Sequence, residues 1–128
     1  MGQYLIDNNV ISNYFSGAYT GKVMDFMDEI IDQRPKISVI TQIEALSWIS
    51  ADKRKESIIQ DFINDALVFD LTADVAAACV YLRRSKKIKT PDAIIAATAL
   101  VHSFTLITSD KDFKNIPALK VMDPFEMV

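Results

Sequence analysis

The chain has little of what many enzyme and scaffold classes depend on: among 128 residues there are one cysteine, one histidine, three glycines and four prolines. Cys79 alone can form neither an intrachain disulfide nor a cysteine-rich zinc cluster. Its setting, Ala76-Ala77-Ala78-Cys79-Val80, predicts a buried helix position in a reducing or redox-indifferent compartment. The single histidine, His102, argues against paired-histidine zinc sites and leaves Ser12, Ser38 and Ser109 without a base partner; no Gly-x-Ser-x-Gly elbow occurs either. Gly2, Gly17 and Gly21 are too scattered to form a phosphate-cradling loop. No uncharged apolar run of 18 residues is present to span a membrane. Tyr4-Leu5-Ile6 leads straight into Asp7, without the basic and long apolar regions of a signal peptide, so a cytoplasmic protein is expected. Half the residues are apolar. A chain of this length should bury somewhat under about 70% of its extended surface, which predicts one domain over residues 1–128.

Positive charge is also in short supply, with a formal net charge of −3. That balance works against polyanion binding, which rests on Lys and Arg neutralising phosphates. Two basic runs soften the objection, Lys53-Arg54-Lys55 and Arg83 to Lys89. Lys53, Arg54, Arg83, Arg84, Lys86 and Lys87 are candidate contacts for nucleic-acid phosphates, with solvated surface charge as the alternative for each. A divalent cation held by acids would also reverse the local sign where substrate approaches.

What is present is an alternation of short apolar runs with helical stretches. Tyr4–Ile6, Lys36–Val39, Leu67–Phe69, Phe104–Ile107 and Leu119–Met122 read as strands, the last as a short strand or extended tail. Helices are predicted over Val10–Phe15, Val23–Ile31, Thr41–Ile49, Glu56–Asp65, Ala73–Lys86 (Thr72 as N-cap) and from Pro91, at the first helical position, to His102. Strands separated by helices favour an α/β fold with a mainly parallel central sheet of four to five strands, flanked by helices on both faces. Ligands in such sheets gather beyond the carboxyl ends of the strands.

Acids stand at those ends. Asp7 follows the first strand and Asp110 the fourth; Glu44 and Asp92 open helices. Each has a local explanation: Asp7 as an Asx-turn or N-cap, Thr41-x-x-Glu44 as a capping box, Asp92 as a first-turn acid after Pro91, and Asp110 with Asp112 as turn caps. Taken singly, capping explains Glu44 better than chemistry does. Taken together, the four positions fall on one edge of a parallel sheet. Clustered carboxylates repel and partly protonate unless a hard cation joins them, and Mg²⁺ or Mn²⁺ suits all-oxygen ligands.

Four segments then stand out: Tyr4-Leu5-Ile6-Asp7-Asn8-Asn9-Val10-Ile11-Ser12, Ser38-Val39-Ile40-Thr41-Gln42-Ile43-Glu44-Ala45-Leu46, Thr90-Pro91-Asp92-Ala93-Ile94-Ile95-Ala96-Ala97-Thr98-Ala99, and Leu106-Ile107-Thr108-Ser109-Asp110-Lys111-Asp112-Phe113 running on to Val121. In order and spacing the chain closely resembles the PIN-domain family, and within it the VapC-like toxins of bacterial toxin–antitoxin pairs. The resemblance implies a PIN-like three-layer fold and Mg²⁺-dependent endoribonuclease activity, with Mn²⁺ as a substitute. It makes Asp7, Glu44, Asp92 and Asp110 the catalytic and metal-binding acids. Asp112 becomes a supporting group or a further ligand, and Asn9 a residue that holds the aspartates in place. Asn8 departs from the pattern, where threonine is usual. The implied partners are an RNA substrate (transfer RNA being the family-level expectation), a cognate antitoxin and a second copy in a homodimer. Ile11, Tyr14, Phe15, Phe26, Met27 and Ile30 are candidates for the antitoxin or dimer surface. Three other readings compete: a PIN-fold nuclease of RNA maturation or decay, a non-catalytic binding protein of the same fold, and a receiver-like signalling domain with Asp70 as phosphoacceptor.

Overall fold

Segments of two or three residues, each with an apolar centre or pair, line up as a sheet. In the computed structural model, which describes residues 3–127, Tyr4–Ile6 (β1), Lys36–Ser38 (β2), Leu67–Phe69 (β3), Thr105–Ile107 (β4) and Val121–Met122 (β5) are the strands. They form one sheet of order β3-β2-β1-β4-β5, and every pairing is parallel. Successive side chains point to opposite faces of a strand. Leu5 and Leu106 therefore join one core while Ile6 and Ile107 join the other.

The helices are Asn8–Phe15 (α1), Gly21–Asp32 (α2), Val39–Leu46 (α3), Lys53–Asp65 (α4), Ala73–Ser85 (α5) and Thr90–His102 (α6). The Leu5 face is covered by α5 and α6, including Val75, Cys79, Leu82 and the buried run Ala93 to Ala97. The Ile6 face is covered by Val10 and Ile11 of α1, Met27 of α2 and Ile59 and Ile63 of α4. The result is a three-layer α/β architecture. Cys79 is buried on α5. Among the described residues no helix is long and apolar enough to cross a membrane.

Several helix starts differ from expectation because the capping residue lies earlier than periodicity indicates. Asp7 caps a helix that begins at Asn8 rather than Val10, and Asp52 caps α4 at Lys53 rather than Glu56. Lys89 occupies the N-cap position of α6, which moves Pro91 to the second helical residue. At the second strand, Ser38 accepts from the Ile40 amide and α3 begins at Val39. Thr41 is consequently inside the helix and fully buried, with no hydrogen-bond partner for its hydroxyl. The capping box proposed for Thr41 and Glu44 does not form, and Glu44 is left free of local duty.

The early apolar stripe divides between core and surface. Ile11 and Met27 are core residues, and Tyr14, Phe26 and Ile30 pack against that core. The Tyr14 hydroxyl donates to Asp28 of α2; burial and that bond push its phenol up to about 12. Of the six, Phe15 alone is well exposed to solvent.

Candidate metal centre

The strand order reverses between β1 and β4: β2 and β3 lie to one side and β5 to the other. A crevice opens at the carboxyl ends of strands at such a point. Asp7 leaves β1 there, and Thr108-Ser109-Asp110 leaves β4 beside it, the Asp7 amide donating to the Ile107 carbonyl at 3.0 Å.

Asp7 is buried, and its carboxylate is held by three donors: the Asn8 amide at 2.8 Å, Asn9 Nδ2 at 3.0 Å and Thr108 Oγ at 2.7 Å. Asn9 spans the crevice. Its Nδ2 also donates to Thr108 Oγ at 3.1 Å, and its Oδ1 accepts from the Ser109 amide at 3.1 Å. Thr108 Oγ accepts in turn from the Asp110 amide at 3.1 Å. These bonds fix the Asp7 carboxylate relative to the loop of Asp110. Thr108, wholly buried, was not singled out from the sequence; its signal was a hydroxyl placed directly after an apolar strand at the acid-bearing edge.

Asp92, Asp110 and Asp112 each place a carboxylate oxygen within 4.8 Å of the other two. Opposite oxygens on a Mg²⁺ ion lie about 4.2 Å apart, so small carboxylate rotations bring this all-oxygen set into range. Asp92 occupies the third residue of α6, Asp110 caps the 3-10 turn Lys111–Phe113 by accepting from the Asp112 amide, and Asp112 is exposed. Asp7 and Glu44 are outside this close trio but act on it electrostatically. The Asp92 carboxyl is pushed above its ordinary range first by burial, then by Asp110, Asp7 and Asp112, with Lys89 opposing. Glu44 is pushed up by burial and then by Asp7 and Asp92. Burial outweighs the three hydrogen bonds at Asp7, and Asp110 adds to the rise. Five acids thus share one electrostatic field with too few cations to balance it, the circumstance in which a divalent ion is favoured. The donor set fits a hard cation such as Mg²⁺ or Mn²⁺.

The six basic candidates occupy two other places. Lys53 and Arg54 open α4, paired with Glu56 at 2.8 Å and Asp52 at 3.6 Å; Arg83 and Arg84 end α5, with Lys86 and Lys87 exposed just beyond. The cation that acts on Asp92 is Lys89. Asp70 follows β3, an edge strand, away from the β1–β4 crevice where a receiver-like phosphoacceptor would be needed. His102 stacks on Phe104 and contacts Phe69, a surface aromatic group at the end of α6.

Glu44 and Asn8, next to the acids, also line a groove of about 400 Å³ between α1, α3 and α4. Ile11, Phe15, Trp48 and Ile58 give it an apolar wall, and Lys55 lies on its rim.

Comparison with known proteins agrees with this fold. A family model described as PIN domain matches residues 4–119. The chain is 31% identical, over 137 aligned positions, to the plasmid stability protein StbB of Pseudomonas syringae pv. tomato, covering 95% of this chain and 98% of that one. A toxin-antitoxin complex from Klebsiella pneumoniae contains a chain 32% identical to it, with a TM-score of 0.71 over 98% of this chain and 100% of that chain. The DNA-bound VapBC structure from Salmonella typhimurium matches at 21% identity with a TM-score of 0.77, over 97% and 99% of the two chains, a likeness of fold.

Proposed function

The chain belongs to the PIN-domain family, and from that premise we propose that it is a metal-dependent endoribonuclease, the toxin of a toxin–antitoxin pair. The observation that carries the reading is the approach of the Asp92, Asp110 and Asp112 carboxylates to within 4.8 Å at the sheet's reversal point, under the charges of Asp7 and Glu44.

A divalent cation bound there supplies acidity to water and offsets charge developing on a phosphoryl oxygen. Asp92, Asp110 and Asp112 would hold it, together with Asp7, which Asn9 and Thr108 keep aligned. Glu44 approaches from α3 and is not committed to a cap. Beside Asp7 and Asp92, whose charges act on it, it is placed to orient the attacking water and accept its proton. In-line attack leaves a 5′-phosphate and a 3′-hydroxyl. Lys89, at the mouth of α6, would meet a flanking phosphate, and the α4 and α5 cations would extend that contact. Transfer RNA is the substrate class proposed.

The purified chain should cut RNA in Mg²⁺ or Mn²⁺, fall silent in EDTA and recover when metal is returned in excess. Uncut RNA in Mn²⁺, with the chain folded and free of partner, would sink the proposal.

The proposed antitoxin occupies the groove between α1, α3 and α4, where an apolar wall runs up to Glu44. Trp48 is half-exposed, and neighbouring Ile43, Ile49 and Ile58 extend the apolar surface into solvent. The similar structures from Klebsiella pneumoniae and Salmonella typhimurium are a toxin-antitoxin complex and DNA-bound VapBC, which supports a partner of this kind. Trp48→Asp should weaken antitoxin binding at least about thirtyfold, as expected for an aromatic anchor, while metal-dependent cleavage stays within a few-fold of the native rate. Native antitoxin affinity in that variant removes the groove as the docking site. A homodimer is part of the same proposal, and exposed Val80 and Tyr81 on α5 offer it an apolar surface.

A further inference from the structure

We propose that Asp123 is a positioning residue for the acid site: from the position just after β5 it holds Ser109, and through Ser109 the loop that carries Asp110. The inference rests on the metal-site reading above and adds to it a clasp built from the C-terminal segment.

Sheet register brings the parts together. Ile107 pairs with Met122, and the Thr108 amide donates to the Met122 carbonyl at 3.0 Å. Ser109 and Asp123 therefore emerge side by side, one residue beyond that contact. Ser109 Oγ donates to Asp123 Oδ1 at 2.8 Å, while the same oxygen accepts from the Phe125 amide at 3.0 Å. The second bond caps the 3-10 turn Pro124–Glu126 and would explain Asp123 by itself. The first bond has no part in that cap, and it connects to the site: the Ser109 amide donates to Asn9 Oδ1, whose amide group holds Asp7. One serine thus has its side chain tied to the C-terminal turn and its backbone tied to the Asp7–Asn9–Thr108 group.

The turn itself is anchored. Pro124 is buried, Phe125 lies against Tyr19 with ring centroids 5.1 Å apart, and Lys114 pairs with Glu126. Tyr19 is buried, with its hydroxyl near Asn13 and Ser109 but without a hydrogen bond of its own. The clasp therefore has an apolar footing on the segment between α1 and α2. A carboxylate held this way limits how far Asp110 can swing from Asp92, and supports of this type tune a metal site through the groups they orient.

Ser109→Ala separates the two roles, since it removes the link and leaves the cap. Mn²⁺ binding, followed by electron paramagnetic resonance, should weaken about tenfold in Ser109→Ala. Asp123→Ala, which also loses the Phe125 cap, should weaken it at least as much, and the double variant little further than Asp123→Ala, because both substitutions break the same Ser109–Asp123 bond. Asp123→Asn keeps an accepting oxygen and should bind Mn²⁺ within about twofold of native. In the metal-free chain, exchange of the Asp110 amide should quicken about fivefold in Ser109→Ala, with α5 and α6 amides unchanged. Native Mn²⁺ affinity in Ser109→Ala, or additive losses in the double variant, overturns the clasp. If the native chain takes up no Mn²⁺, the metal reading fails and exchange decides the clasp: an unchanged Asp110 rate overturns it, a faster one supports it.

Discussion

Asp92→Asn should lower metal-dependent RNA cleavage at least about a hundredfold while raising the melting temperature of the metal-free protein. Both effects follow from the same geometry. Asp92 is drawn to within 4.8 Å of Asp110 and Asp112, and its carboxyl is pushed up by burial and by those neighbours together with Asp7. A raised carboxyl pKa means that the folded chain disfavours the ionised form more than the unfolded chain does. Neutral asparagine has nearly the same shape and lifts that burden. One term opposes it: Asp92 sits in the first turn of α6, where the helix dipole favours a negative charge by about 0.3–1 kcal/mol. Burial and three neighbouring acids act against the charge, with Lys89 the one cation opposing them, so stabilisation should win. Thermal unfolding in EDTA, paired with cleavage assays in Mn²⁺, checks both halves. A variant that melts lower and still cuts at the native rate would make Asp92 a capping acid and nothing more. Such a gain in stability on loss of a functional charge is the expected trade at a strained site.

The case of Glu44 shows how far local sequence patterns carry and where they stop. Thr41-x-x-Glu44 matches a capping box, but whether it caps depends on where the helix begins, and that depends on burial of Ile37 and Ser38 at the end of β2. Ser38 took the cap, Thr41 turned inward, and Glu44 was left facing the acids. Strands β1 to β4 are legible because each short run carries apolar residues between polar breaks, and their order puts Asp7 and Asp110 at one edge of a parallel sheet. The hydrogen bonds that align those acids were not legible. Thr108 reaches Asp7 across 101 positions and Asn9 across 99, and no local pattern registers such contacts. Asp112 illustrates the same limit. The resemblance left it either a supporting group or a further ligand; the 3-10 turn brings its carboxylate into the close trio, while Asp7 is the acid already occupied by three donors. Most of the early apolar stripe is core once α2 packs beside α1, while Ile11 and Phe15 line one wall of the groove whose other apolar residues come from α3, α4 and the turn after α3.

Saturating Mn²⁺ should raise the melting temperature by about 10 °C at neutral pH, and by much less near pH 5. At a hundred times the dissociation constant, ligand binding stabilises the folded state by about 2.7 kcal/mol, which for a chain of this size corresponds to about 10 °C. The pH dependence comes from the acids themselves. Asp7, Glu44 and Asp92 ordinarily ionise near 3.8, 4.5 and 3.8, and all three are raised in the fold. Between the ordinary and the raised values the folded chain holds protons that the unfolded chain has released, so their contribution to stability falls as pH rises through that window. Above it the loss is complete and constant. A cation must displace those retained protons, which weakens its binding at the acid end of the window and leaves it unopposed at neutral pH. The metal-dependent gain should therefore grow with pH while the metal-free contribution of the same acids declines. Asp92→Asn should flatten both trends, since it removes one retained proton and one ligand together. An equal Mn²⁺ shift at pH 5 and pH 7, or an undiminished shift in Asp92→Asn, would show that the ion binds away from the β1–β4 crevice.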